Sequence, residues 1–266
     1  MIPDYPPLFW VTAITAVIFL GIAKAGFGGG IGVIATPLMA LTISVTDAAA
    51  ILLPLLIITD IFALRHYWGV YDRASIRLML PGAVVGVAVG ALVFGYFADN
   101  ERALQISLGV LSLAFVAYQA TRSMLLGALA QSRPPASAGV ALGAAAGFTS
   151  TLAHAGGPPA TIYLLPQQLP RAVFVGTSVL FFAAVNLFKL APYGYLGLLR
   201  VGNLTTIALL APLTYVGVRL GIFLNKRFTD RWFNRFVYTL LLLTGIQLIL
   251  GENLIGIVVR ELKLGG

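Results

Sequence analysis

Long uninterrupted runs of apolar residues are the main pattern along this 266-residue chain. A helix needs about 20 mostly apolar residues to cross the hydrocarbon core of a bilayer. Runs that meet this requirement lie at 47–67, 74–97, 103–121, 172–193, 201–224 and 233–250. Polar and charged residues gather in the segments between them. The pattern predicts an all-α polytopic membrane protein.

Two further apolar regions are interrupted by helix-breaking residues. The region 8–43 is cut at 26–30 by Gly-Phe-Gly-Gly-Gly, and the region 138–165 is cut at 155–159 by Ala-Gly-Gly-Pro-Pro. Each contains two stretches of roughly 11–18 residues, which are short for a complete span. We therefore expect a broken helix in each region.

The composition agrees with a membrane location and removes several other classes. Hydrophobic residues make up 59% of the chain and charged residues 10%, whereas a soluble domain has about 25% charged residues. The chain has no Cys and two His, so we expect no disulfide, no metal site and no cofactor. The net charge of +8 comes mostly from residues that flank apolar runs, which favours a role in membrane orientation over nucleic-acid binding.

The two halves of the chain resemble each other. A shift of 126 positions aligns Gly21 with Gly147, Asp60 with Asn186, Phe62 with Phe188 and Tyr67 with Tyr193. A shift of 131 aligns Pro81 with Pro212, Gly86 with Gly217, Gly90 with Gly221, Phe97 with Phe228 and Asp99 with Asp230. These matches predict a first transmembrane repeat at 1–122, a cytoplasmic linker at 123–136 and a second repeat at 137–266.

The distribution of basic residues predicts how the halves are oriented. Arg and Lys are concentrated at 65–77, at 122–133 and at 226–235. The positive-inside rule places all three segments in the cytoplasm. This is possible only if each broken region enters and leaves the membrane on the same side. We therefore expect two inverted repeats, each a broken-helix hairpin plus three transmembrane helices, with both termini outside the plasma membrane.

The glycine breaks are the first candidate binding site. Irregular backbone at membrane depth is stable only where protein or a water-filled cavity satisfies its polar groups. Broken helices related by an inverted repeat are typical of transporter centres, where helix N-termini attract anions. The candidate substrate-binding glycines are Gly28, Gly29, Gly30, Gly156 and Gly157. The alternative is that the breaks serve packing alone.

The two glycine motifs resemble those of a known family. The pattern Gly21-x4-Gly26-x-Gly28-Gly29-Gly30 followed by Pro37, with Gly147 and the segment His-Ala-Gly-Gly-Pro-Pro at 154–159, is similar to the repeated motif of the TauE/SafE family. The resemblance covers nearly the whole chain. It implies export of sulfite, sulfoacetate or another organosulfonate. A secondary transporter working by alternating access is the function we expect; an anion channel, or a carrier for another small anion such as a carboxylate, remains an alternative.

Ionisable residues beside the breaks are further candidates, because charges inside a membrane are costly. Lys24 precedes the first break by two residues and aligns with Ser150 of the second half, and both are candidate substrate-binding residues. It would offer a positive charge to an anion, or else pair with Asp60. His154 lies at the second break and could bind substrate or a coupling proton, or be purely structural.

Three more residues within the spans are candidates for ion coupling or charge pairing: Asp60, Asn186 and Arg219. Asp60 could take up a coupling proton or cation, or neutralise a nearby cation. Arg219 could guide anions. Lys189 lies near the end of its predicted helix, and we expect it to reach the membrane interface.

An enzymatic function is not expected. Ser150 and His154 are four residues apart, yet no Gly-x-Ser-x-Gly elbow surrounds the serine. The glycine-rich segment at 26–30 lacks the Lys-Ser/Thr ending of a nucleotide-binding loop. The expected partners are therefore a small anion, a coupling proton or cation, and the lipid bilayer; the sequence makes no prediction of oligomeric state.

The hairpin interpretation can be tested with topology reporters. We expect tags at positions 70 and 228 both to report the cytoplasm, because the basic segments around them share one side. Tags at the termini should report the outside. Tags at 70 and 228 on opposite faces would contradict both the hairpins and the inversion.

Overall fold

The computed structural model describes residues 5–27, 32–129, 134–199, 203–227 and 230–251, and these residues are almost entirely helical. The helices are α1 (Pro7–Phe27), α2 (Ala35–Met39), α3 (Val45–Tyr67), α4 (Arg73–Phe97), α5 (Glu101–Leu129), α6 (Ala136–Ala153), α7 (Gly157–Leu164), α8 (Arg171–Tyr195), α9 (Leu204–Arg227) and α10 (Asp230–Leu250). Single 3₁₀ turns at Gly32–Ile34 and Leu165–Gln167 precede α2 and follow α7.

The predicted all-α polytopic architecture is confirmed. Within the described residues, seven helices are long and apolar enough to cross a membrane: α1, α3, α4, α5, α6, α8 and α9. The described part of α10 adds a shorter apolar helix, Val237–Leu250. The six predicted spans correspond to α3, α4, α5, α8, α9 and α10.

The second predicted break is present between α6 and α7, whereas most of the first lies outside the described residues, between the end of α1 at Phe27 and the turn that begins at Gly32. Helix α1 is longer, and α2 and α7 are shorter, than the predicted stretches of roughly 11–18 residues. The helices before the breaks have 21 and 18 residues, and those after them have only 5 and 8. Helix α1 continues through Gly26 because a single glycine costs a helix only about 1 kcal/mol. Helix α7 begins late because Pro158 and Pro159 fit only its first turn.

The chain returns after each break to the end where it started. The Thr12 and Thr42 hydroxyls lie 3.1 Å apart near the beginnings of α1 and α3, and the Tyr67 hydroxyl donates to the Ala25 carbonyl near their ends, at 2.8 Å. Helices α1 and α3 therefore run in the same direction, so the segment between them must come back. These contacts support the predicted hairpin.

The second half repeats this geometry. The Tyr193 hydroxyl donates to the Thr151 carbonyl at 2.7 Å, and both residues lie 126 positions after their counterparts Tyr67 and Ala25. The first turn of α6, at Gly139, contacts the Tyr163 ring near the end of α7. The chain thus returns after the second break as well.

Close packing of glycines joins the two halves. Helix α1 lies along α9, and its counterpart α6 lies along α4; these are the two most extensive helix pairs. Gly21 and Gly26 contact Gly217 and Gly221, so α1 and α9 run in parallel. Small residues at such positions let helix backbones approach closely in membranes.

The contacts also give the relative direction of the two halves. Gly82 and Gly86 of α4 meet Val140 and Ala144 of α6, so this pair is parallel too. Since α4 runs back from the end of α3, helix α6 runs opposite to its counterpart α1. Opposite directions of matched helices support the predicted inversion, while the repeat boundaries remain predictions.

The connection between α3 and α4 is fixed to the start of α8. The Asp72 backbone N–H donates to the Thr177 hydroxyl at 2.8 Å, and the Asp72 carboxylate accepts from the Ser75 N–H to cap α4. Partial burial raises the pKa of Asp72, but hydrogen bonds from Ser75 and Ala74 outweigh this effect and bring the pKa below its ordinary value. The end of α3 therefore meets the beginning of α8, and these helices are antiparallel.

The glycine contacts predict the effect of adding one methyl group. A Cβ atom at Gly86 would overlap the Ala144 carbonyl oxygen, so Gly86→Ala should force α4 and α6 apart. We expect it to destabilise the protein by about 1–3 kcal/mol, measured by thermal unfolding in detergent. Gly194→Ala is the matched control, because no atom lies within 4 Å of the added Cβ. Equal stability of the two variants would contradict the close packing of α4 on α6.

Candidate functional site

Two aligned residues of the two halves contact each other at the centre of the protein. The Asn186 side-chain amide donates to the Asp60 carboxylate at 2.8 Å, and both residues are buried. In the predicted inverted repeat, a residue touches its own counterpart only near the axis that relates the two halves. The Asp60–Asn186 pair therefore lies where the halves meet.

Lys24 brings a positive charge to the same point. The residue lies in the last turn of α1, is 4% exposed, and forms an ion pair with the Asp60 carboxylate. Two charges removed from water are costly, and their close contact offsets part of that cost. The sequence left open whether Lys24 faces a ligand or neutralises Asp60, and the structure shows the ion pair.

Lys189 also belongs to this cluster, and the prediction that it reaches the membrane interface is wrong. The side chain is fully buried. Its ammonium donates to the Ser150 carbonyl and hydroxyl oxygens, both at 3.1 Å, and contacts His154 Nδ1 at 2.7 Å. The sequence did contain a sign that Lys189 faces the same side as Asn186. Lys189 follows Asn186 by three residues, and residues i and i+3 share a helix face.

His154 ends α6 in an unusual backbone conformation. Its φ of 51° lies in the left-handed region, which favours glycine, and its aligned counterpart in the first half is Gly28. The ring Nε2 lies 3.0 Å from the Ala49 carbonyl oxygen. A carbonyl oxygen only accepts, so Nε2 carries the hydrogen and Nδ1 presents a lone pair to Lys189.

A small cavity opens beside this cluster. Its lining comes from helices of both halves: Leu20, Lys24, Leu56, Ser150, His154, Gly157, Phe182 and Asn186. Two aligned pairs are among the lining residues, Lys24 with Ser150 and Leu56 with Phe182. The cavity is therefore lined by matching positions of the two halves.

Not every candidate from the sequence lines this cavity. Gly156 is packed between the Ala146 carbonyl and the Phe182 ring, so it allows close packing instead of facing the cavity. Arg219 is exposed on α9 and does not line the cavity. The candidates Gly28, Gly29 and Gly30 lie outside the described residues.

The second break offers a ligand fewer free backbone N–H groups than an ordinary helix N-terminus does. Helix α7 begins with Gly157, Pro158 and Pro159, and proline has no N–H. The next N–H, at Ala160, is bonded to the Gly156 carbonyl at 3.3 Å. Only the Gly157 N–H of this turn is left for a ligand, so charged side chains matter more here than the helix N-terminus.

The ion pair predicts a specific pattern of stability. Lys24→Met should destabilise the protein by about 3–5 kcal/mol, because Asp60 is left as an unpaired buried charge. Adding Asp60→Asn should recover most of the lost stability, because no unpaired carboxylate then remains. The measurement is thermal unfolding in detergent for both single variants and the double variant. A Lys24→Met protein as stable as the parent would contradict the ion pair.

The comparisons with known proteins agree with the fold. The model of the family described as "Sulfite exporter TauE/SafE" matches residues 13–248, nearly the whole chain. No curated protein and no solved structure matches. Members of this family are membrane transporters and not enzymes, as predicted, and their substrates are small anions. The chain therefore belongs to the TauE/SafE sulfite exporter family and is a multi-pass membrane transporter of the sulfite and organosulfonate exporter type.

Proposed function

We propose that the protein is a secondary transporter that moves a small sulfur-containing anion across the plasma membrane by alternating access. Sulfite, sulfoacetate and other organosulfonates are the substrate class. The observation that carries the proposal is the cavity lined by helices of both halves, beside two buried ammonium groups and one buried carboxylate.

The charges around the cavity favour an anion. Lys24 and Asp60 neutralise each other. Lys189 is held by oxygens of Ser150 and by His154, and it forms no ion pair within the described part of the chain. When Lys189 is protonated, one positive charge is left without a counter-ion in a buried site, which is costly. A bound anion would compensate that charge.

The donors at the cavity suit a sulfonate or sulfite group. These anions present three oxygens that accept hydrogen bonds and carry no donor when fully ionised. Lys24 offers ammonium hydrogens, and the Ser150 hydroxyl, whose oxygen accepts from Lys189, has its own hydrogen to donate. Gly157, whose N–H has no partner within its helix, lines the same cavity. These three residues offer one donor for each of the three oxygens.

The apolar part of the lining suits the carbon chain of an organosulfonate. Leu20, Leu56 and Phe182 line the cavity beside the polar residues. Binding sites for small molecules commonly combine apolar walls with a few polar groups that fix the orientation of the ligand. Sulfoacetate and related sulfonates would place their carbon atoms against these three side chains.

The location of the cavity between the two halves supports alternating access. Transporters with inverted repeats bind substrate between the repeats and rock one against the other. Here Asp60 and Asn186, one residue from each half, contact each other beside the cavity. No nucleotide-binding motif was found in the sequence, so the proposed energy source is an ion or substrate gradient, and both termini are proposed to lie outside.

Ligand binding to the purified protein tests the substrate class. Methanesulfonate, sulfoacetate and sulfite should raise the melting temperature in detergent, because a ligand that binds only the folded state stabilises it. Acetate and succinate should have smaller effects at equal concentration. A larger shift from the carboxylates would favour the alternative substrate class, and counterflow in proteoliposomes separates a carrier from a channel.

Variants of the cavity test the role of Lys24. The double variant Lys24→Met/Asp60→Asn keeps the site free of an unpaired carboxylate, so it isolates the loss of the ammonium group from the cavity. We expect it to bind methanesulfonate about tenfold more weakly, which corresponds to about 1.4 kcal/mol. Arg219→Gln is the matched control, because it removes an exposed cation that does not line the cavity. Unchanged affinity in the double variant would remove Lys24 from the binding site.

A further inference from the structure

Lys189 and His154 form a buried contact next to the cavity. The Lys189 Nζ atom lies 2.7 Å from His154 Nδ1. The other ring nitrogen, Nε2, donates to the Ala49 carbonyl oxygen at 3.0 Å, which fixes the hydrogen at Nε2. Two basic nitrogens therefore face each other with no acidic group between them.

This contact has room for a single proton. With the proton on Lys189, the ammonium donates to the Nδ1 lone pair. With the proton on His154, the Nδ1–H donates to the lone pair of a neutral amine. Protonating both groups would place two N–H hydrogens and two positive charges at the same 2.7 Å contact. The pair therefore carries either one positive charge or none.

The surroundings of the pair link its charge to the cavity. The titratable or charged groups that face it are Lys24 from α1, Asp60 from α3 and Tyr193 from α8. The Tyr193 hydroxyl already donates to the Thr151 carbonyl, and Asp60 is paired with Lys24. Helix α6 adds the Ser150 oxygens, which are neutral acceptors. The charge on the pair thus has no counter-ion of its own while the cavity is empty.

We propose that Lys189 and His154 together form the proton-binding site of the transporter, and that an anion in the cavity binds with about one proton on this pair. This inference rests on the proposed function and names its coupling ion. An anion beside His154 stabilises the charged pair, and by reciprocity the proton strengthens anion binding. The coupling sets the stoichiometry of transport and leaves its direction to the gradients.

Proton uptake on ligand binding tests the inference. The probe is methanesulfonate, the anion of a strong acid, which stays ionised so that any proton taken up belongs to the protein. Calorimetric titration in two buffers of different ionisation enthalpy gives the number of protons bound per anion. We expect about one proton per anion at some pH between about 6 and 9, and an affinity that falls by up to about tenfold per pH unit as the pH rises.

Variants at Lys189 distinguish a requirement for proton uptake from a requirement for positive charge alone. Lys189→Arg keeps a permanent positive charge, so it should bind methanesulfonate with no proton uptake and no dependence on pH above about 7. Lys189→Gln should bind more weakly and also take up no proton in that range. Tyr193→Phe, which removes a hydroxyl on the same helix four residues away, should keep the proton uptake of the parent protein. Tyr67→Phe removes the aligned hydroxyl in the first half and controls for the loss of the bond itself.

The contribution of His154 is tested separately. His154→Gln keeps a hydrogen-bonding side chain but removes the second base, so the pH at which affinity falls should move by at least about one unit. An unchanged pH profile would assign the proton to Lys189 alone and overturn the pair.

The remaining outcomes separate this inference from the proposed function. Tight binding of methanesulfonate that is independent of pH and takes up no proton would overturn the coupling and leave the anion site intact. Proton uptake that persists in Lys189→Arg would place the proton elsewhere and also overturn it. Absence of binding by any sulfonate would overturn the proposed function, and the coupling with it.

Discussion

The central constraint on this protein is the placement of charge at the buried contact between its halves. Asp60 contacts its own counterpart Asn186, Lys24 pairs with Asp60, and Lys189 lies close by at Ser150 and His154. A membrane protein accepts such groups only where they are paired, hydrogen-bonded or in contact with a ligand. The carboxylate neutralises one ammonium, and in the proposed function the charge of the other makes the cavity suited to an anion.

The packing of glycines allows this arrangement to form. Helices α1 and α6 end at the central cluster because each lies in close backbone contact with a helix of the opposite half, α9 or α4. The breaks that follow return the chain to its starting side, so each of these helices ends at the centre of the protein. A bulkier residue at Gly21 or Gly86 would move Lys24 or Ser150 away from the cavity.

The sequence predicted the elements well, because transmembrane spans depend on local hydropathy and length. It also identified several residues that line the cavity. The candidates that do so are Lys24, Ser150, His154, Gly157 and Asn186. The prediction that Lys189 reaches the membrane interface was wrong, because the distance of a residue from the end of its helix does not reveal which helix face is covered by another helix. Arg219 was a candidate for the same reason, and its exposed position follows from how α9 packs on α1.

The most direct test of the account is to locate a bound anion. A structure determined with 2-bromoethanesulfonate would reveal the ligand through the anomalous scattering of bromine. The account predicts the sulfonate oxygens at Lys24, Ser150 and the Gly157 N–H, with the bromine atom against Leu20, Leu56 or Phe182. A ligand bound elsewhere, with this cavity occupied only by water, would contradict the central claim that the buried charge at the axis forms the anion site.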